Sequence, residues 1–364
     1  MAGSNHANGG GKTASTNGVS LSQFCVALMH SGECIRVEYS SPSELKSVLE
    51  NAKLAWINYQ VDNIEEKGEE IVTALGFGSG LVSKLFEKQH YSHYEDKDTE
   101  LGILMPAVTV QNLEVRVNPL VILMRKGLIL TMAGGEVVRL VRFSRYADSF
   151  FRKIPKNALW QDALTLALIR ILDENNDRNF DHLREIESQA DELSKDLMDP
   201  KTPRSKLGPA IYGMKHALIT YMNVLWATLD VINSLRYGDA EVITDDTKIL
   251  ERITVLSADV TQQLGLSEHM SEVLASGLEV LQTIYNNQLQ MLNNRLAWLA
   301  TWLAIVGTAL LVPNTLATIY GTAIGEHLSY DFIFYSLIIG SLLSAVIVFI
   351  VLKWKGWMPR NEEW

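Results

Sequence analysis

The chain has 364 residues, with 42 Asp and Glu against 32 Lys and Arg and a formal net charge of −10. That balance argues against nucleic acid as a partner, because binding its phosphates needs a concentrated basic surface. The two cysteines, Cys25 and Cys34, form no Cys-x-x-Cys pair, which fits a reducing compartment and speaks against a disulfide framework or a thiolate metal site.

Residues 1–20 are rich in Gly, Ser, Asn and Ala without an apolar core, so a disordered tail is expected there and not a signal peptide. Gly9-Gly10-Gly11-Lys12-Thr13 has the end of a phosphate loop, but the first glycine of that motif would fall on His6 and no strand precedes it. Residues 21–157 read as a cytoplasmic α/β domain. Within it, 34–39 alternates as a strand, Ser41-Pro42-Ser43-Glu44 opens a helix, 54–59 is a buried strand and 64–75 a helix with Glu65, Glu66, Glu69 and Glu70 on its exposed face. The short apolar runs 103–108, 120–124, 128–132 and 137–141 are expected to be strands of one sheet, with Arg125-Lys126-Gly127 as a hairpin turn. His90 and His93, with Glu87 and Glu95, have zinc-ligand spacing if helical; a surface cluster is the plainer reading.

Residues 158–295 read as a helical stalk region. Helical spacing holds through Phe180, Leu183, Ile186, Ala190, Leu193 and Leu197 to Asp199-Pro200, and Pro203 and Pro209 mark a corner. A return helix is expected over about 210–235, then an acidic turn at 239–246. The next helix begins near Asp245 and meets no strong breaker, since Gly265 and Gly277 cost only about 1 kcal/mol each. It approaches 70 to 80 residues, roughly 100 to 120 Å. A helix of that length must bury itself against neighbours, which implies an oligomeric stalk.

Residues 296–322 carry no charge and suffice to cross a hydrocarbon core of about 30 Å, which takes about 20 residues. A second apolar run, 332–352, follows an outer loop at 323–331. Arg295 precedes the first span and Lys353, Lys355 and Arg360 follow the second, whereas the loop holds Glu326 and Asp331 and no basic residue. Both long ends, including the tail 353–364, are therefore expected on the cytoplasmic side of a cytoplasmic (inner or plasma) membrane, with Trp298, Trp354 and Trp357 as interfacial anchors. The fold class is an α+β/α membrane protein.

Steps of four and three along the first span give Thr283, Asn287, Gln290, Asn294, Ala297, Thr301, Ala304, Thr308, Leu311, Thr315, Thr318 and Thr322. Such a stripe serves either of two ends. It allows close helix packing, with each Thr bonding its own backbone. Alternatively it lines a pore with hydroxyls and carboxamides, and Leu311 with Val312 forms a hydrophobic gate.

The segment Tyr285-Asn286-Asn287-Gln288-Leu289-Gln290-Met291-Leu292-Asn293-Asn294, followed by an uncharged helix, Val312-Pro313 and Ile319-Tyr320-Gly321, resembles the CorA family of divalent-cation channels and transporters. Trp56-Ile57-Asn58 and the run from Val117-Asn118-Pro119 to Leu130-Thr131-Met132 are similar to that family as well. The resemblance implies a homopentamer with a cytoplasmic funnel, the first span lining the pore and the second outside it. It implies gated passive uptake of divalent cations, magnesium first among them, with no enzyme activity and no cofactor beyond the cation itself. A divalent ion gains roughly 4 to 5 kcal/mol per 100 mV, so no ATP site is needed. Glu326 and Asp331 would attract cations at the mouth, and the acidic run, with Asp173, Asp177, Asp181 and Glu185, would sense internal cation; a solvated face is the alternative.

One departure stands out. The family signature after the tyrosine is Gly-Met-Asn, and this chain has Gly321-Thr322-Ala323. Ala323 lacks the amide that in the family meets the hydrated ion, leaving Asn314 and Thr315 as polar candidates deeper in the span. Two alternatives follow: a transporter of zinc, nickel or cobalt with the same architecture, or a non-conducting membrane sensor or scaffold. The implied partners are further copies of the chain and the lipid bilayer.

Overall fold

The computed structural model describes residues 23–87, 92–111, 113–134, 137–198, 202–238, 240–321 and 329–355. It divides into two compact units, Met1–Ala275 and Ser276–Trp364.

The first unit is built on a seven-stranded sheet in the order β2-β1-β3-β7-β6-β5-β4. Its strands are β1 (Phe24–Met29), β2 (Cys34–Glu38), β3 (Ala52–Gln60), β4 (His93–Lys97), β5 (Glu100–Gln111), β6 (Glu114–Arg125) and β7 (Leu128–Ala133). All neighbours are antiparallel except β3 and β7, which pair in parallel with Ile57 opposite Leu130. The turn between β6 and β7 is Lys126-Gly127, and Gly127 at φ 75° supplies the left-handed backbone that a two-residue hairpin loop requires. The run 54–59 lies inside β3, and the apolar runs 103–108, 120–124 and 128–132 lie inside β5, β6 and β7. Both β5 and β6 extend well beyond those runs.

Alternate residues face opposite sides of the sheet, and both sides are covered. On one side, Cys25, Ala27, Ala55, Ile57, Leu128 and Leu130 pack with Leu45, Ile64, Val72, Leu81 and Leu85, which come from a 3-10 turn (Pro42–Leu45), α2 (Ile64–Ala74) and α3 (Leu81–Phe86). Helix α1 (Lys46–Asn51) links that turn to β3. On the other side, the Trp56 indole lies 4.9 Å from the Phe24 ring and 5.1 Å from the Phe143 ring. There α6 (Trp160–Asn176) packs on β3 and β7, and α8 (Arg204–Tyr237) on β4, β5 and β6. Trp56 donates to Thr131 Oγ1 at 3.1 Å, and Thr131 donates to Asn58 Oδ1 at 2.7 Å, so the polar atoms in this layer are paired.

Several expectations need correction. Residues 137–141 are not a strand: Val138–Ser144 is α4, followed by α5 (Ala147–Phe151). Leu140, Val141 and Phe143 are buried while Arg142 is exposed, and the arginines at 139, 142 and 145 recur every three residues, a helical spacing that the β-branched run masked. Strands β1 and β4 were not anticipated. His93 belongs to β4, so it has no helical pairing with His90, which lies outside the described residues. The acidic stretch is two helices, α6 and α7 (Asn179–Met198), broken at Asp177-Arg178. Helix α8 starts at Arg204, and Pro209 lies inside it and not at a corner. Finally, α9 runs without interruption over Thr247–Tyr320, 74 residues, matching the long helix expected from about Asp245.

Candidate functional site

Helix α9, whose later part lies in the second unit, and α10 (Tyr330–Trp354) are each long and apolar enough to cross a membrane. Thr301, Ile305, Thr308, Val312, Leu316 and Tyr320 of α9 are half-buried or buried, and two contacts identify what covers this face. Ser336 on α10 donates to Tyr320 Oη at 3.1 Å, and a Cβ on Gly340 would stand 2.8 Å from Leu316 Cδ1. Leu311, Asn314, Thr315 and Thr318 are exposed.

The expected stripe therefore differs in burial along its length. It was drawn at 3.5 residues per turn, and a straight helix at 3.6 drifts by about 20° each heptad. Thr301 and Thr308 fall on the half-buried side, whereas Thr315 and Thr318 stay open. Leu311 and Val312 also separate, since neighbours on a helix point about 100° apart: Leu311 is 66% exposed and Val312 is half-buried. Tyr320 is turned toward α10.

Every threonine of the stripe that lies in the described span bonds its own helix. Thr301 donates to the Ala297 carbonyl at 2.8 Å, Thr308 to Ala304 at 2.6 Å, Thr315 to Leu311 at 2.8 Å and Thr318 to Asn314 at 2.8 Å. Each hydroxyl keeps lone pairs and has spent its proton. Asn287, Gln290 and Asn294 are exposed on the part of α9 before the span. Gly321 closes the helix, its N–H donating to the Ala317 carbonyl at 2.9 Å. Thr322, Ala323 and Glu326 lie outside the described residues. Asp331 is exposed in the first turn of α10, where a carboxylate complements the positive helix end.

In the first unit, Asp173 and Glu174 are held by local partners. Asp173 meets Arg170 at 2.7 Å, and the buried Glu174 accepts from Arg170 and, at 2.7 Å, from Tyr146 Oη. Burial pushes the Asp173 carboxyl above its ordinary range; Arg170 opposes this, while Asp177 and Asp259 reinforce it. Asp173 and Asp259 line a groove of about 260 Å³ between α6 and α9, together with Phe150, Ile169, Arg252 and Val255. Asp177 caps the end of α6, and Asp181 and Glu185 lie on α7. Among the described residues, no three His, Cys, Asp or Glu side chains gather closely enough to hold a metal ion. Glu95 is engaged by Lys84 at 2.7 Å.

One feature escaped the sequence reading. At the α6–α7 break, Asn175, Asn176 and Asn179 are buried. Asn175 donates to the Pro106 carbonyl at 3.1 Å, Asn179 to Gln263 of α9 at 3.1 Å, and Tyr221 to the Asn179 carbonyl at 3.0 Å. Arg139 reaches the Asn175 carbonyl and lies 3.2 Å from His182 Nε2. The turn-forming run Asn175-Asn176-Asp177-Arg178-Asn179 is the signal that would have found it.

The sequence model of the family described as CorA-like Mg2+ transporter protein matches residues 51–354. The fold is similar to that of the complete CorA magnesium transporter from Methanocaldococcus jannaschii (TM-score 0.65, 18% identity, 92% of this chain and 98% of that one). It is similar to full-length CmaX (TM-score 0.60, 16% identity, 92% and 98%). The cytoplasmic domain of ZntB from Vibrio parahaemolyticus also matches (TM-score 0.54, 12% identity, 72% and 98%). No curated protein matches the chain in sequence.

Proposed function

Since the chain belongs to the family of CorA-like Mg2+ transporter proteins, we propose that it carries divalent metal cations, magnesium first among them, passively across the cytoplasmic membrane as a homopentamer. Copies of α9 surround the pathway, and α10 stands outside them. The observation that carries this reading is the open side of α9 within the span. Leu311, Asn314, Thr315 and Thr318 are exposed on one side, while Leu316 and Tyr320 meet α10. A polar face in a membrane helix needs either another protein surface or water against it, and a shared axis supplies both.

The basic residues Arg295, Lys353 and Lys355 beside the spans support an orientation with the first unit on the cytoplasmic side. Asn287, Gln290 and Asn294 then continue the polar lining below the membrane, and Asp331, repeated around the axis, raises cation concentration at the outer mouth. With the open face turned inward, Leu311 forms the narrow apolar level, and Val312 supports it from the α10 side. Asp173, Asp177, Asp181 and Glu185 form a surface that senses internal cation.

The test is flux. The full-length chain in liposomes loaded with a magnesium-sensitive dye is expected to admit magnesium under an imposed inside-negative potential, and absence of influx there rejects magnesium as the cargo. Zinc, nickel or cobalt as the cargo is the second reading. It is favoured by Ala323, which carries no amide, and competition among these ions in the same assay separates the two. A scaffold that does not conduct passes none of them.

A further inference from the structure

In α9 between Leu296 and Gly321 a single side chain carries a carboxamide, Asn314. The hydroxyl side chains of that stretch have partners within the chain: four threonines donate to the carbonyl one turn back, and Tyr320 accepts from Ser336. Asn314 is exposed, and no described residue hydrogen-bonds its side chain. It sits one turn from Leu311 and one from Thr318, both exposed, and away from the Leu316–Tyr320 side that meets α10. A carboxamide left unpaired in hydrocarbon is costly, so this one needs a partner from outside the chain.

We infer that Asn314 is the specificity-determining residue of the pathway, its carboxamides from neighbouring copies forming a ring that accepts hydrogen bonds from the water shell of a divalent cation. This rests on the transport reading above. The chemistry suits a hard, hydrated ion. The carboxamide oxygen is a neutral oxygen acceptor, the lone pairs of Thr315 and Thr318 beside it are further oxygen acceptors, and the described span holds no thiolate or imidazole to bind a softer ion directly. Discrimination at Asn314 also makes the residue at position 323 dispensable for it. The competing role is structural, with Asn314 amides bonding only one another and gluing the copies together.

The experiment compares the full-length chain with Asn314→Leu, Asn314→Gln and Asn314→Cys in liposomes, measuring flux of magnesium, cobalt, nickel and zinc separately. Asn314→Leu is expected to cut flux of the favoured ion by about tenfold or more and to flatten the order of preference, whereas Asn314→Gln keeps the order. In Asn314→Cys, a cationic methanethiosulfonate reagent is expected to block flux; Cys25 and Cys34 are buried, leaving the new thiol as the accessible one. An unchanged order of preference in Asn314→Leu, or flux untouched by the reagent in Asn314→Cys, overturns the inference and leaves the transport reading standing. Loss of assembly in Asn314→Leu with the original preference in the residual flux assigns the structural role and also overturns it. If the unmodified chain passes none of the four ions, both readings fall together.

Discussion

Ser336 of α10 shares its proton between Tyr320 Oη at 3.1 Å and the Ile333 carbonyl at 2.9 Å. The contact ties the last residue of α9 to the second span. Tyr320→Phe keeps the ring and returns the proton wholly to Ile333, so a loss below about 1 kcal/mol is expected. Tyr320→Ala also empties the space beside α10 and is expected to cost about 1 to 3 kcal/mol. Thermal unfolding of the detergent-solubilised protein checks both, and equal losses would mean that the ring contributes nothing.

At Gly340 the two membrane helices approach each other closely. A Cβ there would stand 2.8 Å from Leu316 Cδ1, the far end of a flexible side chain. Gly340→Ala is therefore expected to be accommodated by a shift of Leu316, at about 1 kcal/mol or less, whereas Gly340→Leu must spread α9 and α10 and cost about 1 to 3 kcal/mol. Unfolding midpoints that rank the two variants in the opposite order would reject this packing.

In the sheet, Thr131 accepts from the Trp56 indole and donates to Asn58, all three buried. Thr131→Val keeps the shape and leaves the indole N–H without its acceptor, an expected loss of about 1 to 3 kcal/mol. Thr131→Ser keeps the hydroxyl, so its loss should be the smaller of the two. Denaturant unfolding followed by tryptophan fluorescence provides the comparison.

His182 is held neutral. Burial, then the guanidinium groups of Arg139 and Arg178, push its imidazole down to about 4 from the ordinary 6.5. The folded chain thus binds fewer protons than the unfolded one between those values. The stability it contributes is present above pH 6.5 and is lost as pH falls through 4. His182→Gln still offers Arg139 an acceptor and does not titrate, so the decline in unfolding midpoint over this window should shrink in that variant. An identical decline in both proteins assigns the acid sensitivity to other groups.

The membrane helices and the long α9 were legible because apolar length and the lack of breakers are local properties. The central strands were legible for the same reason. The 137–141 run was misread because Val-Val-Arg-Leu-Val suits either period, and the packing of α4 on α6, with Phe143 against Trp56, decides it. The α6–α7 break was hidden by continued helical spacing on both sides of it. At the candidate site, sequence spacing found the polar residues of α9 and could not sort them by side. That division depends on where α10 lies, which Ser336 and Gly340 reveal.

The parallel seam between β3 and β7 has a kinetic consequence. Strands β1 to β3 and β4 to β7 are two antiparallel sets whose members are near one another in the chain, and each can pair by short-range closure. Joining them requires Ala55 to find Leu128, and Gln60 to find Ala133, across everything that separates β3 from β7. Contacts of such high sequence separation form slowly. A nascent chain is therefore expected to carry two half-sheets with exposed edges at β3 and β7 until the seam closes.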